Sequence, residues 1–546
     1  MSFHDLLQNE LQKKLAESLA AFRPELAICV TIVALLLVRM IAPRWKAGAY
    51  YVMLLGMVAA LLQAIPWEAL AQPEAAERGG VQAAKLLAAT SQTFTGLLVT
   101  DTFSVSLRVL LLLFAVLFVG FTRASGVPDD EDATEFYVLV SGALLGMCLM
   151  VSANHALMIL LGIEMASVPS YVLAGFLRHR RPSSEAALKY AVFGAATAGV
   201  MLYGISLLVG TLGSAHLPTM PQRLAAFLEA GASDRYVVLV LGGLMLMVGL
   251  AFKLSAVPFH FWAPDVFEGA TAEVGTLLSV ASKAAALGLL ARLAVTFSTI
   301  DDTLLSVDLV PMTIKSLEPA RVFLFGLLFT MSAVTCTFGN LAAYGQTNIK
   351  RLLAYSTIAH AGYMMMPIAA AVAMAGRNTQ GMRQAIASLV VYLAVYLFMN
   401  FGAFAVVAFL RNALKSEEID DYAGLVRRSP GLTVAMAVIL FSLVGLPPLA
   451  GFAAKFTVFA ELFDARLLAL LVIGGLNTVL SLFYYLRVVR VMVLSPEPEH
   501  RAAPTIPLFS VPGLYSAVLA GLLLVMFLWW GGLWDIGMSA AAGLGQ

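Results

Sequence analysis

Charge is sparse in this sequence: Asp, Glu, Lys and Arg make up 12% of its 546 residues, whereas hydrophobic residues make up 60%. Soluble domains carry about a quarter charged residues, so a water-soluble enzyme of this size is excluded. Cysteine is nearly missing as well. Cys29, Cys148 and Cys336 each stand alone inside an apolar run, which excludes a disulfide framework and a zinc or iron–sulfur site. A net charge of +1 provides no field for nucleic acid. There is no Walker loop, dinucleotide fingerprint, haem-attachment motif or Cys/His cluster, so the sequence predicts no cofactor and no metal on this chain. The first 23 residues are amphipathic rather than signal-like, and Asp5 to Leu19 is predicted to lie on a membrane surface.

Long apolar runs are what the chain has instead. Stretches such as Ile28–Leu37, Val109–Gly120 and Ala517–Trp530, with their neighbours, reach the ~20 residues of helix that cross a bilayer core of about 30 Å. They lack the polar stripe of a soluble core helix. The fold class is therefore an all-α polytopic membrane protein of about 14 transmembrane helices. Spans are predicted at about 24–42, 48–65, 103–122, 134–151, 154–177, 186–211, 235–265, 271–296, 320–342, 350–374, 383–411, 431–463, 465–492 and 509–533.

The seventh and twelfth spans each cover about thirty residues, or about 45 Å as straight helix, which overshoots the bilayer. Both hold proline away from an end, Pro258 in one and Pro447-Pro448 in the other, so both should be interrupted. They lie five spans apart. An odd-numbered unit repeated once crosses the membrane in the opposite sense, so the pattern predicts inverted five-helix repeats, spans 4–8 and 9–13. The predicted organisation is residues 1–133 for three N-terminal helices, 134–296 and 320–492 for the two repeats, and 509–546 for a C-terminal helix. Lys and Arg gather after odd-numbered spans (Arg44, Lys46, Arg178, Arg180, Arg181, Lys350, Arg351, Arg427, Arg428), which predicts cytoplasmic odd loops and both termini on the outer side.

The chemistry is expected where charge is most costly. A mid-bilayer charge costs roughly 2.5–3.5 kcal/mol and persists where it pairs, meets water or works. Glu164 lies halfway along span 5, Lys189 begins span 6, Lys253 precedes the break of span 7, Lys283 is central in span 8 and Lys455 follows the break of span 12. A desolvated lysine sheds its proton readily and a nearby carboxylate restores it, so lysines at successive depths form a proton relay, with His360 in span 10 as a link. For Glu164 and Lys253 the competing reading is a static ion pair, and for Lys189 it is snorkelling to the interface. His260 and His360 compete with satisfied core histidines. Arg108 and Arg292 are expected to snorkel, and Asp101 to be a solvated loop charge.

Four stretches resemble the antiporter-like membrane subunits of proton-pumping NADH:quinone oxidoreductase, respiratory complex I. They are Glu185-Ala-Ala-Leu-Lys-Tyr-Ala-Val-Phe-Gly, Lys253-Leu-Ser-Ala-Val-Pro-Phe-His-Phe-Trp-Ala-Pro-Asp-Val-Phe-Glu-Gly-Ala, Asn348-Ile-Lys-Arg-Leu-Leu-Ala-Tyr-Ser-Thr-Ile-Ala-His-Ala-Gly-Tyr and Gly445-Leu-Pro-Pro-Leu-Ala-Gly-Phe-Ala-Ala-Lys-Phe. Pro264-Asp-Val-Phe-Glu-Gly and Lys455 look like the N type, the counterpart of mitochondrial subunit 2. The resemblance implies a non-redox, H⁺-translocating subunit of a bacterial inner-membrane enzyme. In it Glu164 pairs with Lys253, Lys283 is the central relay and Lys455 the terminal lysine. It also implies NAD, FMN, iron–sulfur clusters and quinone on partner subunits, and neighbouring antiporter-like and small subunits as partners. An Mrp-type cation/proton antiporter subunit, a membrane-bound hydrogenase relative and a sealed scaffold are the alternatives. The chain departs from the family at Thr271-Ala-Glu-Val274, where Pro-Thr-Pro-Val is usual, which leaves the entry to span 8 undetermined.

Overall fold

The computed structural model describes residues 14–67, 90–230, 233–300, 315–497 and 504–544. Within them the main helices are α1 (Arg23–Ile41), α2 (Gly48–Ala64), α3 (Thr102–Ser125), α4 (Ala133–Val151), α5 (Ala156–Ala174), α6 (Arg181–Leu212), α7a (Ser233–Leu254) and α7b (Trp262–Gly269), and α8 (Ala272–Thr296). The chain continues as α9 (Glu318–Ala343), α10 (Ile349–Met374), α11 (Thr379–Leu414), α12a (Pro430–Val444) and α12b (Ala450–Asp464), α13 (Leu468–Leu494) and α14 (Val511–Leu528). Twelve of these helices are long and apolar enough to cross a membrane, and Gly48–Ala64 and Pro430–Val444 are shorter apolar ones. The expected surface segment Asp5–Leu19 lies mostly outside the described residues.

Both overlong spans are broken. Proline alone does not explain it, since Pro169 inside α5 and Pro367 inside α10 leave those helices continuous. At the breaks a left-handed residue comes first: Ser255 (φ 56°) after α7a and Gly445 (φ 90°) after α12a. Each is followed by the same closing bond, Ala256 N–H to Ala251 O (2.8 Å) and Leu446 N–H to Phe441 O (3.0 Å). This is a Schellman-type stop, and Pro258 and Pro447-Pro448 then prevent the helix from resuming. The longest helix, α11, has 36 residues and stays whole because it has neither signal.

Several elements went unpredicted. A two-stranded ribbon, β1 (Ser91–Thr93) and β2 (Leu98–Thr100), pairs antiparallel, and its Val99 N–H reaches Ser152 O. Strands of three residues carry no readable periodicity. A short amphipathic helix, Met220–Glu229, joins α6 to α7a and buries Met220, Pro221, Leu224 and Ala225. After α14 the chain turns into a further helix, Trp530–Ala541, which packs on α11 and α3 and whose Ala540 carbonyl accepts from Thr102 Oγ1 (3.1 Å).

The centre of the bundle decides where chemistry can sit. The most apolar stretch of α8 is entirely enclosed by other helices, and those of α10 and α11 are 94% and 89% enclosed, whereas those of α1 and α6 are 28%. Lys283 and His360 therefore lie on the two helices most cut off from lipid.

Candidate functional site

The last carbonyls of any helix lack an intrahelical donor, and a helix broken within a bilayer exposes them where no lipid can satisfy them. Buried lysines meet this need at three helix ends. Lys283 of α8 donates from Nζ to the Leu254 carbonyl at the end of α7a (2.5 Å). Lys455 of α12b turns back and donates to the Leu443 and Val444 carbonyls at the end of α12a (3.0 Å each). Lys350, in the first turn of α10, donates to the Glu268 and Ala270 carbonyls at the end of α7b (2.8 and 2.7 Å) and pairs with Glu417 (2.9 Å). Helix C-termini carry partial negative charge, so each ammonium sits where its charge is favoured.

This resolves the unequal placement of the two break lysines in sequence. With Ser255 matched to Gly445, the residue opposite Lys455 is Asp265, not Lys253. The cap that Lys455 supplies from its own helix comes at the first break from the next helix, through Lys283.

Lys253 is buried and donates to Ser167 Oγ of α5 (3.0 Å), which in turn donates to the Ile163 carbonyl (2.6 Å). Glu164 lies one turn from Ser167 and is half-buried. Among the described residues no ion pair joins Glu164 to Lys253, whose ammonium is held by the Ser167 hydroxyl. Trp262 spans the same break, its indole N–H on the Phe252 carbonyl (3.1 Å) and its ring stacked on Tyr190 with centroids 4.3 Å apart.

Lys189 lies elsewhere. Its side chain is 36% exposed and holds Glu185 (2.7 Å) and Asp265 (2.6 Å), while Arg351 holds Asp265 (2.7 Å) and Glu268 (2.8 Å). These five groups form a rim network where α6, α7b and α10 meet.

His360 is enclosed, with Nδ1 hydrogen-bonded to the Tyr392 hydroxyl (2.9 Å) and Nε2 to the Tyr485 hydroxyl (3.4 Å). Tyr485 also contacts Ser356. Between His360 and Lys455 stands Tyr363: its ring centroid is 5.9 Å from the imidazole, and the Lys455 ammonium sits 4.5 Å from it as a cation–π pair. Beyond, Asn340 donates to Asn477 (3.2 Å) and accepts from Tyr484 (3.0 Å). His260, by contrast, packs its ring on Phe261 and Phe338 with Nδ1 unpartnered among the described residues.

The sequence held a signal that motif reading misses. On α11, Ser388, Tyr392, Tyr396 and Asn400 recur every fourth residue, which puts them on one face over about 18 Å of axis. All four are buried, and the face meets α10 through Tyr392–His360 and Asn400–Thr357 (3.4 Å). Lys350 was equally hidden: beside Arg351 it reads as an orientation charge, yet it is buried.

Three expectations are corrected. Arg292 does not snorkel and Asp101 is not solvated: they form a buried bidentate pair (2.7 and 3.1 Å), and Arg292 also donates to Val151 O. Arg108 likewise pairs inside the bundle with buried Glu25 (2.9 Å). Single charges near span ends look solvated in sequence because their partners are far away in the chain.

The departure at the entry to α8 has a structural form. Thr271 caps the helix, accepting from Val274 N–H (3.3 Å), and fully buried Glu273 meets both terminal nitrogens of Arg411 at the end of α11 (3.3 and 3.2 Å). An ion pair thus ties the first turn of α8 to the end of α11. Arg411→Ala should cost about 3–5 kcal/mol by stranding the carboxylate. Glu273→Pro with Arg411→Leu should recover most of that, because proline fits the first helical turn. Thermal unfolding of the purified assembly would check both.

A model of the NADH:quinone oxidoreductase/Mrp antiporter transmembrane family matches residues 153–481, the stretch that holds Glu164, Lys253, Lys283, His360 and Lys455. The chain belongs to this family, in its subunit N branch. It is similar to NADH-quinone oxidoreductase subunit N of Anaeromyxobacter sp. (strain Fw109-5), 35% identical over 520 residues that cover 93% of this chain and 94% of the relative. Subunit N of Rhodospirillum rubrum is 40% identical over 407 residues, 74% of this chain and 77% of that one. Among solved structures, a chain of respiratory complex I from Thermus thermophilus with bound aureothin superposes with TM-score 0.70 at 30% identity, over 93% of this chain and 97% of that one. A chain of the Mrp complex from Dietzia sp. has TM-score 0.74 at 16% identity, covering 97% and 98%, a likeness of fold. The all-α antiporter-like architecture and the subunit N resemblance are thus borne out.

Proposed function

We propose that this chain carries protons across a bacterial cytoplasmic membrane as a non-redox membrane-arm subunit of NADH:quinone oxidoreductase. Quinone reduction on partner subunits would drive the transport. One observation carries the reading: buried lysines close the broken ends of α7a and α12a, with His360 and the α11 polar face among the central helices.

A lysine held by a helix-end carbonyl keeps its proton, and one released from it into an apolar interior gives the proton up. Repacking at a break can therefore switch a lysine between loaded and unloaded. In the order proposed, Lys189 and the rim network collect protons on the cytoplasmic side. Lys253, held by Ser167 one turn along α5 from Glu164, answers to that carboxylate, and Lys283 passes the proton toward His360. Tyr363 and Lys455 complete the path to the outer side. Glu164, half-buried beside exposed Leu161, Met165 and Val168, faces outward where a neighbouring membrane-arm subunit would pack, which suits it to receive the driving signal. The two five-helix repeats and the outer placement of both termini follow the matched breaks and the Lys/Arg bias.

The test is NADH-driven proton uptake by vesicles holding the assembled complex, comparing the native chain with Lys455→Met. Loss of proton movement with the complex intact is expected. Unchanged pumping would refute the relay. Sodium or potassium exchange without NADH would instead favour an antiporter of the Mrp type.

A further inference from the structure

Lys455 is followed on α12b by two carboxylates that the relay described so far leaves unused. Glu461 lies six residues on, about 9 Å along the axis. It is 5% exposed, and its Oε2 is enclosed with no hydrogen-bond partner among the described residues. Asp464, three residues further, ends the helix and is exposed.

The position is a poor one for a structural carboxylate. Glu461 stands in the last turn, where helix-end carbonyls repel negative charge and favour cations. A buried carboxylate without a partner is tolerated only with a bound proton or water drawn to it. No ion pair to Glu461 repays its burial among the described residues. A leucine there would extend the buried row Ala454, Val458, Leu462 at no such cost. What the group retains is the ability to take and return a proton, one step outward from Lys455 and one turn inward from Asp464.

We propose that Glu461 is the outer relay residue of this chain: it accepts the proton that Lys455 releases and passes it to Asp464 at the outer surface. The bookkeeping is simple. The Lys455 ammonium becomes an amine, the Glu461 carboxylate becomes a carboxylic acid, and the acid then protonates Asp464 or water. This proposal rests on the relay reading above.

The experiment uses the whole complex in vesicles, with Glu461→Gln, Glu461→Asp and Lys455→Met side by side. Glu461→Gln keeps shape and polarity yet cannot exchange a proton, so NADH-driven proton uptake should fall about tenfold or more. Glu461→Asp should restore most of it, a rescue that a merely structural role would not give in this order. If Glu461→Gln pumps as the native chain does while Lys455→Met does not, the assignment of Glu461 is overturned and the relay stands. If neither variant loses pumping, the relay reading itself falls. Should Glu461→Gln fail to assemble, the native complex is treated with a hydrophobic carbodiimide, which attacks protonated carboxyl groups in apolar surroundings. Labelling of Glu461 in step with loss of pumping supports the proposal, and loss of pumping with Glu461 unlabelled overturns it.

Discussion

Replacing Lys283 with arginine should stop proton movement through this chain while leaving the bundle folded. Arginine keeps the positive charge and can still donate to the Leu254 carbonyl, so the end of α7a remains closed. It cannot lose its proton inside a protein, so a relay step at this position is blocked. Removing a proton-transferring side chain typically slows its step by about 10²–10⁴-fold, and NADH-driven uptake should fall correspondingly. Lys283→Ala should do this and more. It also strands a buried carbonyl, at about 1–3 kcal/mol, and opens space in the most enclosed helix of the bundle. Proton uptake and thermal unfolding, measured together, separate the two effects: arginine should alter the first only, alanine both.

The second large effect is on stability. Asp101 does two jobs at the start of α3: it caps the helix, accepting from Ser104 N–H (2.7 Å) in a capping box, and it holds Arg292 of α8 through two bonds. Arg292 also binds Val151 O, so the pair joins the start of α3 to the ends of α4 and α8. Asp101→Ala should cost about 3–5 kcal/mol from the stranded guanidinium, with about 1 kcal/mol more from the lost cap. Asp101→Asn keeps a capping side chain and loses only the charge, so the two variants should differ by about the cap. Asp101→Asn with Arg292→Leu should be milder than Asp101→Asn alone, since no buried charge is then left unmatched. Unfolding temperatures and the yield of assembled complex would decide among these.

The architecture was legible because its causes are local in sequence. Apolar runs define spans, and Pro258 and Pro447-Pro448 sit where the interruptions occur. The left-handed Ser255 was not legible, because nothing in Lys253-Leu-Ser-Ala announces a stop that Gly445 advertises in the second half. Lys253, Lys283 and Lys455 stand out as isolated charges in apolar surroundings, and all three prove buried. Their partners could not be read, because those partners are backbone carbonyls or a serine hydroxyl on other segments. The same distance in sequence hid the ion pairs: Asp101 and Arg292, Glu25 and Arg108, and Glu273 and Arg411 each come from different helices. Lys189 shows the converse. A lysine near a span end beside a carboxylate four residues away reads as relay or rim, and its two partners, Glu185 and Asp265, place it at the rim.

Everything proposed for this chain requires water between its buried titratable groups. A map of the assembled complex fine enough to resolve ordered water would test that directly. A continuous file of waters and hydroxyls from Lys283 past His360 and the α11 polar face to Lys455 and Glu461 is the predicted result. A dry, tightly packed apolar seal between Lys283 and His360, unchanged when the enzyme turns over, would contradict it.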